Sequence, residues 1–159
     1  MYLKRILKSF SFILLVVMIV AAFLTGCDLI YNKEPVTLYA TNPGGNEVTT
    51  FSIVNPDATL TTPFTIPDNR VFVVTDMDIS FADAAPNAAV YVQLLMFGGD
   101  TLAPFQDTTL ADAGGEGGLH ASLVTGVEIG PNTLFGVRAT SGAGLNPGGV
   151  VVSLHGYLK

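Results

Sequence analysis

The sequence predicts an all-β protein, an antiparallel two-sheet β-sandwich behind a short apolar N-terminal segment. Three observations lead there. Beyond residue 35 no stretch carries the 3.6-residue periodicity of a buried helix face. Clusters of Gly, Pro, Asn and Asp cut the chain into short runs rich in Val, Ile, Thr, Phe and Tyr. In the clearest runs apolar and polar residues alternate, giving one buried and one wetted face, as antiparallel sheets do. About eight strands with turn-rich joints fit a sandwich, of which the jelly roll is one form, with an up-and-down barrel as the alternative.

The N-terminal segment comes first. Lys4, Arg5 and Lys8 precede residues 10–24, where Ser11 is the only polar side chain. A positive start, an apolar stretch of this length and small residues at its end describe a secretory signal peptide. A membrane-crossing helix needs about 20 apolar residues, and Thr25, Gly26, Cys27 and Asp28 end this run sooner. Leu24-Thr25-Gly26-Cys27 also holds the single cysteine of the chain. A lone cysteine in an exported protein cannot close an intramolecular disulfide, and a free thiol at an exposed terminus is a liability in an oxidising compartment.

Residues 1–27 resemble the signal of bacterial lipoprotein precursors, and Leu24 to Cys27 meet its lipobox pattern of Leu, a small residue, Gly and Cys. The resemblance implies removal of residues 1–26 and lipidation of Cys27 by a thioether-linked diacylglyceryl group, with chains such as palmitate. It implies attachment to a membrane of the bacterial cell envelope, on its periplasmic or cell-surface side. At about 0.8 kcal/mol per buried methylene, two or more acyl chains hold a protein where one would not. The domains expected are a signal peptide (1–26), a lipidated tether (27–35) and a single sandwich (36–159). Extended, residues 28–35 reach no more than roughly 30 Å, so the sandwich is expected close to the bilayer.

Composition narrows the function. From Cys27 onward the basic residues are Lys33, Arg70, Arg138 and Lys159, against all 13 acidic residues, so the processed chain is more acidic than the precursor's formal −6. Nothing here supplies the basic footprint that nucleic acid needs. The overall hydrophobic content of 49% includes the signal segment, and no later apolar run approaches membrane-spanning length.

Strands are expected at 37–41, 48–54, 59–65, 71–81, 89–97, 119–125, 133–140 and 150–158. Over 71–81 the alternation places Val71, Val73, Thr75, Met77, Ile79 and Phe81 on one face and Asp76, Asp78 and Ser80 on the other. Val90, Val92, Leu94 and Met96 repeat the pattern, as do Val150, Val152, Leu154 and Leu158 opposite Ser153, His155 and Tyr157. Residues 66–74 echo residues 129–137, with Ile, Asn, Phe and Val at matching places. Two strands reached through the same Pro and Asn turn chemistry account for this more simply than a duplicated half-sandwich. Residues 98–118 read as a long irregular loop carrying Asp100, Asp107, Asp112 and Glu116, the first place to look for a contact surface.

Most catalytic signatures are missing. No Lys lies between Lys33 and Lys159, which excludes a P-loop and a central Schiff-base lysine. There is neither a G-x-S-x-G elbow nor an H-E-x-x-H helix, and an acylated Cys27 leaves no thiol. His120 and His155 are expected on polar strand faces; even if they meet across a sheet, no third metal ligand can be placed from the sequence. Asp76 and Asp78 with Asp107, Asp112 and Glu116 invite a test for calcium, which takes six to eight oxygens, yet none follows a known calcium-loop spacing. Solvated acids explain them, and no metal or cofactor is expected. Sugar platforms favour Trp and Tyr; Trp is absent, and Tyr31, one of the mature tyrosines, falls in the tether.

The expectation is a lipid-anchored binding or structural module whose partner is an envelope protein or glycan. The alternative is a glycosidase-like hydrolase using Asp76 or Asp78 with a loop acid, since that chemistry needs only a carboxyl pair about 5 to 9.5 Å apart in a cleft.

Overall fold

A computed structural model describes residues 33–98, 100–142 and 146–159. The lipobox, Cys27 and Tyr31 lie outside them. The described chain is all β: β1 (Glu34–Asn42), β2 (Glu47–Val48), β3 (Ser52–Val54), β4 (Leu60–Thr61), β5 (Phe72–Ala82), β6 (Ala89–Gly98), β7 (Asp100–Leu110), β8 (Gly117–Ile129), β9 (Leu134–Ser141) and β10 (Gly149–Leu158). They form a six-stranded sheet in the order β4-β3-β1-β10-β5-β8 and a four-stranded sheet in the order β2-β9-β6-β7. Every pairing is antiparallel.

Setting aside the short β3 and β4, the remaining strands pair as β1 with β10, β2 with β9, β5 with β8 and β6 with β7. The chain is thus one long hairpin, doubled back between β6 and β7 and wound on itself. This is the jelly-roll form of the expected sandwich. β1 begins at Glu34, which pairs with Leu158, two residues before the expected start of the domain.

Alternation supplies the core. Val36, Leu38, Met77, Ile79, Val152 and Leu154 of the larger sheet face Val90, Val92, Leu94, Val137 and Ala139 of the smaller one, all buried. Each such Val or Leu contributes about 1.5–3 kcal/mol by leaving water. At one end Phe51 stacks on Phe135 with centroids 5.1 Å apart, and Phe72 packs 6.3 Å from Phe135. Among the described residues no polar or charged side chain is buried.

Four sequence expectations need correction. Residues 48–54 are two strands: Val48 pairs in the smaller sheet and Ser52 in the larger one, with buried Phe51 filling the corner between them. Of residues 59–65 only Leu60 and Thr61 pair, because Pro63 has no N–H for a ladder. In β5 the phase slips at Thr75, which is skipped in the register with both β10 and β8. Phe72 and Val74 therefore face the core before the bulge, and Met77, Ile79 and Phe81 after it. Val73 points outward, covered by the irregular part of β8 at Gly126, where an added Cβ would lie 2.5 Å from Val73 Cγ1.

The last correction concerns residues 98–118. Most of this expected loop is β7, paired with β6 along its length. The irregular part shrinks to residues 111–116. β7 escapes the alternation test because Phe105 is its one side chain packed on the core, and most of the rest are exposed.

The two echoing segments behave as matching turns. Arg70 N–H donates to Pro67 O at 3.0 Å and Thr133 N–H to Gly130 O at 3.4 Å. Each turn delivers a buried Phe into the core. Asn132 takes the left-handed conformation (φ 58°) that its short polar side chain tolerates.

Candidate functional site on the outer face of the six-stranded sheet

Cross-strand register arranges the outward side chains of the larger sheet in rows. One row runs Tyr39, Ser153, Asp78, His120, and the next runs Thr37, His155, Asp76, Ser122. A third runs Thr41, Val151, Ser80. The bulge at Thr75 keeps Asp76 and Asp78 outward after the phase slip, so both histidines and both aspartates share one face as expected.

Asp78 stands between the two histidines. His120 Nδ1 lies 2.8 Å from Asp78 Oδ1, and His155 Nε2 lies 3.6 Å from Asp78 Oδ2. Thr37 Oγ1 touches His155 Nδ1 at 3.2 Å. Ser122 donates to Asp76 Oδ1 at 2.8 Å. That bond, helped by Thr75 and by the charges of His120 and His155, holds the Asp76 carboxyl below its ordinary value.

Ser122 Oγ also lies 3.5 Å from His120 Nε2, so Ser122, His120 and Asp78 follow the connectivity of a nucleophile, a base and an orienting acid. The geometry stops short of activation. Useful contacts between nucleophile and base run about 2.6–3.2 Å, and the Ser122 hydrogen is committed to Asp76. Side-chain exposures of 63% for His120 and 51% for Asp78 leave the group in water.

The other expected site residues do not join this face. Asp107 is exposed on β7, its Oδ1 accepting from Thr108 N–H at 2.7 Å. Asp112 closes the 112–116 turn, its Oδ1 accepting from Gly114 N–H at 2.7 Å and Glu116 N–H at 2.9 Å. Those two amides lower its pKa. Asp100 starts β7 opposite Gly98, at the other end of the sandwich. Asp76 and Asp78 contact Ser122, His120 and His155, which lends no support to the pairing with a loop acid in the hydrolase alternative. Among the described residues no three His, Cys, Asp or Glu side chains are placed to hold a metal ion.

The third row runs into a groove of about 770 Å³, lined in part by Ser80, Val151, Asp83, Leu110, Asp112 and Glu116. It lies where β5 and β7 end and β8 and β10 begin, so it depends on contacts that sequence spacing does not reveal. Ser122 and Thr37 were legible: each falls on the polar phase of its strand, Ser122 two residues from His120.

No protein-family model and no curated protein sequence matches the chain. Solved structures with a similar fold include the globular domain of zebrafish complement 1qA protein, at 13% identity, covering 78% of this chain and 95% of that one with a TM-score of 0.41. The cowpea mosaic virus empty virus-like particle matches at 12% identity over 77% of this chain and 78% of that one, TM-score 0.38. A family two carbohydrate esterase from Cellvibrio japonicus matches at 13% identity over 79% of this chain and 35% of that one, TM-score 0.34. These likenesses carry no argument about what this chain binds or does.

Proposed function

We propose that the protein is a lipid-anchored component of the bacterial cell envelope, and that its sandwich is a binding or interaction module. The lipobox supports the anchor: Leu24 to Cys27 match it in full, and Cys27 is the only cysteine. One observation carries the module. The interior of the described sandwich is wholly apolar, while hydroxyl, carboxylate and imidazole groups are laid out in register on the outer face of the larger sheet. Chemistry confined to a surface suits recognition of an envelope protein or glycan.

Metabolic labelling with an alkyne fatty acid tests the anchor. The wild-type chain should take up label and Cys27→Ala should not, and intact mass should place the mature N-terminus at Cys27. An unlabelled chain still carrying residues 1–26 would sink this reading. Protease digestion of a C-terminally tagged protein in intact and lysed cells assigns the side: digestion in intact cells means the cell surface, protection until lysis the periplasm.

Hydrolysis is a second reading, favoured by the order of Ser122, His120 and Asp78 alone. Turnover of p-nitrophenyl acetate by the wild-type chain that Ser122→Ala abolishes would establish it, and equal rates for the two would remove it.

A further inference from the structure

The groove at the end of the larger sheet has a definite chemical character. Asp83, Asp112 and Glu116 line it, together with Leu110, Val151 and Pro43, and among the described residues no Lys, Arg or His does. Leu110 is 69% exposed and Val151 37%, a large apolar surface left in water beside three carboxylates. The turn carrying Asp112 and Glu116 is pinned by the two amide bonds to Asp112 Oδ1. Its backbone is further fixed by Ala84 N–H donating to Gly115 O at 3.0 Å and Asn87 N–H to Asp112 O at 3.0 Å.

An apolar floor with an acidic rim complements one kind of side chain: an aliphatic stem ending in a cation. This chain offers little of it: of Lys33, Arg70, Arg138 and Lys159, the last three are each paired internally, with Glu34, Glu47 and Glu128. The groove lies near Asn42, at the opposite end of β1 from Glu34.

We propose that this groove docks a Lys- or Arg-bearing segment of a separate envelope protein. The proposal rests on the reading of the sandwich as a binding module and names its partner's chemistry.

The probe is a fluorescein-labelled peptide in which Lys and Arg alternate with Ala, titrated onto the full chain in non-ionic detergent at low salt. Saturable binding should weaken at least tenfold in the double variant Asp83→Asn, Glu116→Gln. It should change less than twofold in Asp68→Asn, Asp100→Asn, which removes the same charge at the opposite end. Leu110→Ser should weaken it several-fold with both acids intact. Matching thermal unfolding of all variants confirms that the fold is kept. Equal weakening by both double variants would reduce the effect to net charge and overturn the proposal. So would an absence of saturable binding, or calcium chloride alone binding to the wild type in an Asp83- and Glu116-dependent way. Fatty-acid labelling of Cys27 on the same variants separates the two ideas: the anchor can fail while the groove stands, and the groove can fail while the label persists.

Discussion

Gly156 sits beside the register shift between β5 and β10, and nothing larger fits there. A Cβ on it would lie 2.0 Å from Val73 O, so Gly156→Ala must displace backbone in the middle of the sheet. A loss of about 1–3 kcal/mol is expected, seen as a lower urea midpoint with an unchanged m-value. Gly115 is constrained twice, by φ +85° and by a hypothetical Cβ 2.2 Å from Ala84 O, and it carries the turn that frames the groove. Acid acts on that turn through Asp112. Its carboxyl is held below the ordinary value by the Glu116 and Gly114 amides. The stabilisation is therefore complete above an unfolded pKa of about 3.9 and is lost as pH falls through the lower folded value. Amide exchange at Gly114 and Glu116 should accelerate over that window, and Asp112→Asn should remove the pH dependence.

Strands differ in how much they owe to their own side chains. β10 lies between β1 and β5 and buries Val150, Val152, Leu154 and Leu158, so its amides should exchange slowest. β7 hangs on the edge of the smaller sheet and rests mainly on Phe105. Its amides should exchange fastest among the long strands, and Phe105→Ala should free β7 while protection in β10 persists. Pro104 and the register break opposite Leu95 blunt this edge against pairing with other chains.

The same division explains what the sequence disclosed. β5, β6 and β10 announce themselves because burial on one face writes alternation into their residues. β7 does not, because β6 holds it through the backbone, and hydrogen bonds between main chains leave no mark on side-chain choice. The break at Thr75 is equally silent: Val71, Val73 and Thr75 look like a continuation of Met77 and Ile79 until two neighbouring strands impose a slip. The outward histidines and aspartates were legible by period; that Asp78 stands between His120 and His155 depends on strand order. The groove was hidden for the same reason, assembled from the ends of strands distant in sequence.

Over the whole molecule, stability rests on an apolar interior shared by both sheets. Leu154, fully buried at its centre, should cost about 2–5 kcal/mol when truncated to Ala, measurable by denaturant unfolding. Winding the chain as one long hairpin sets a further condition. Glu34 pairs with Leu158 and Asn42 with Val150, so the first long strand is completed by the last. A chain threaded N-terminus first through a translocation pore could not close this fold until its final strand had emerged. Topology of this kind leaves the larger sheet open along one side of β1 for as long as β10 is missing, and folding waits for the last strand to arrive.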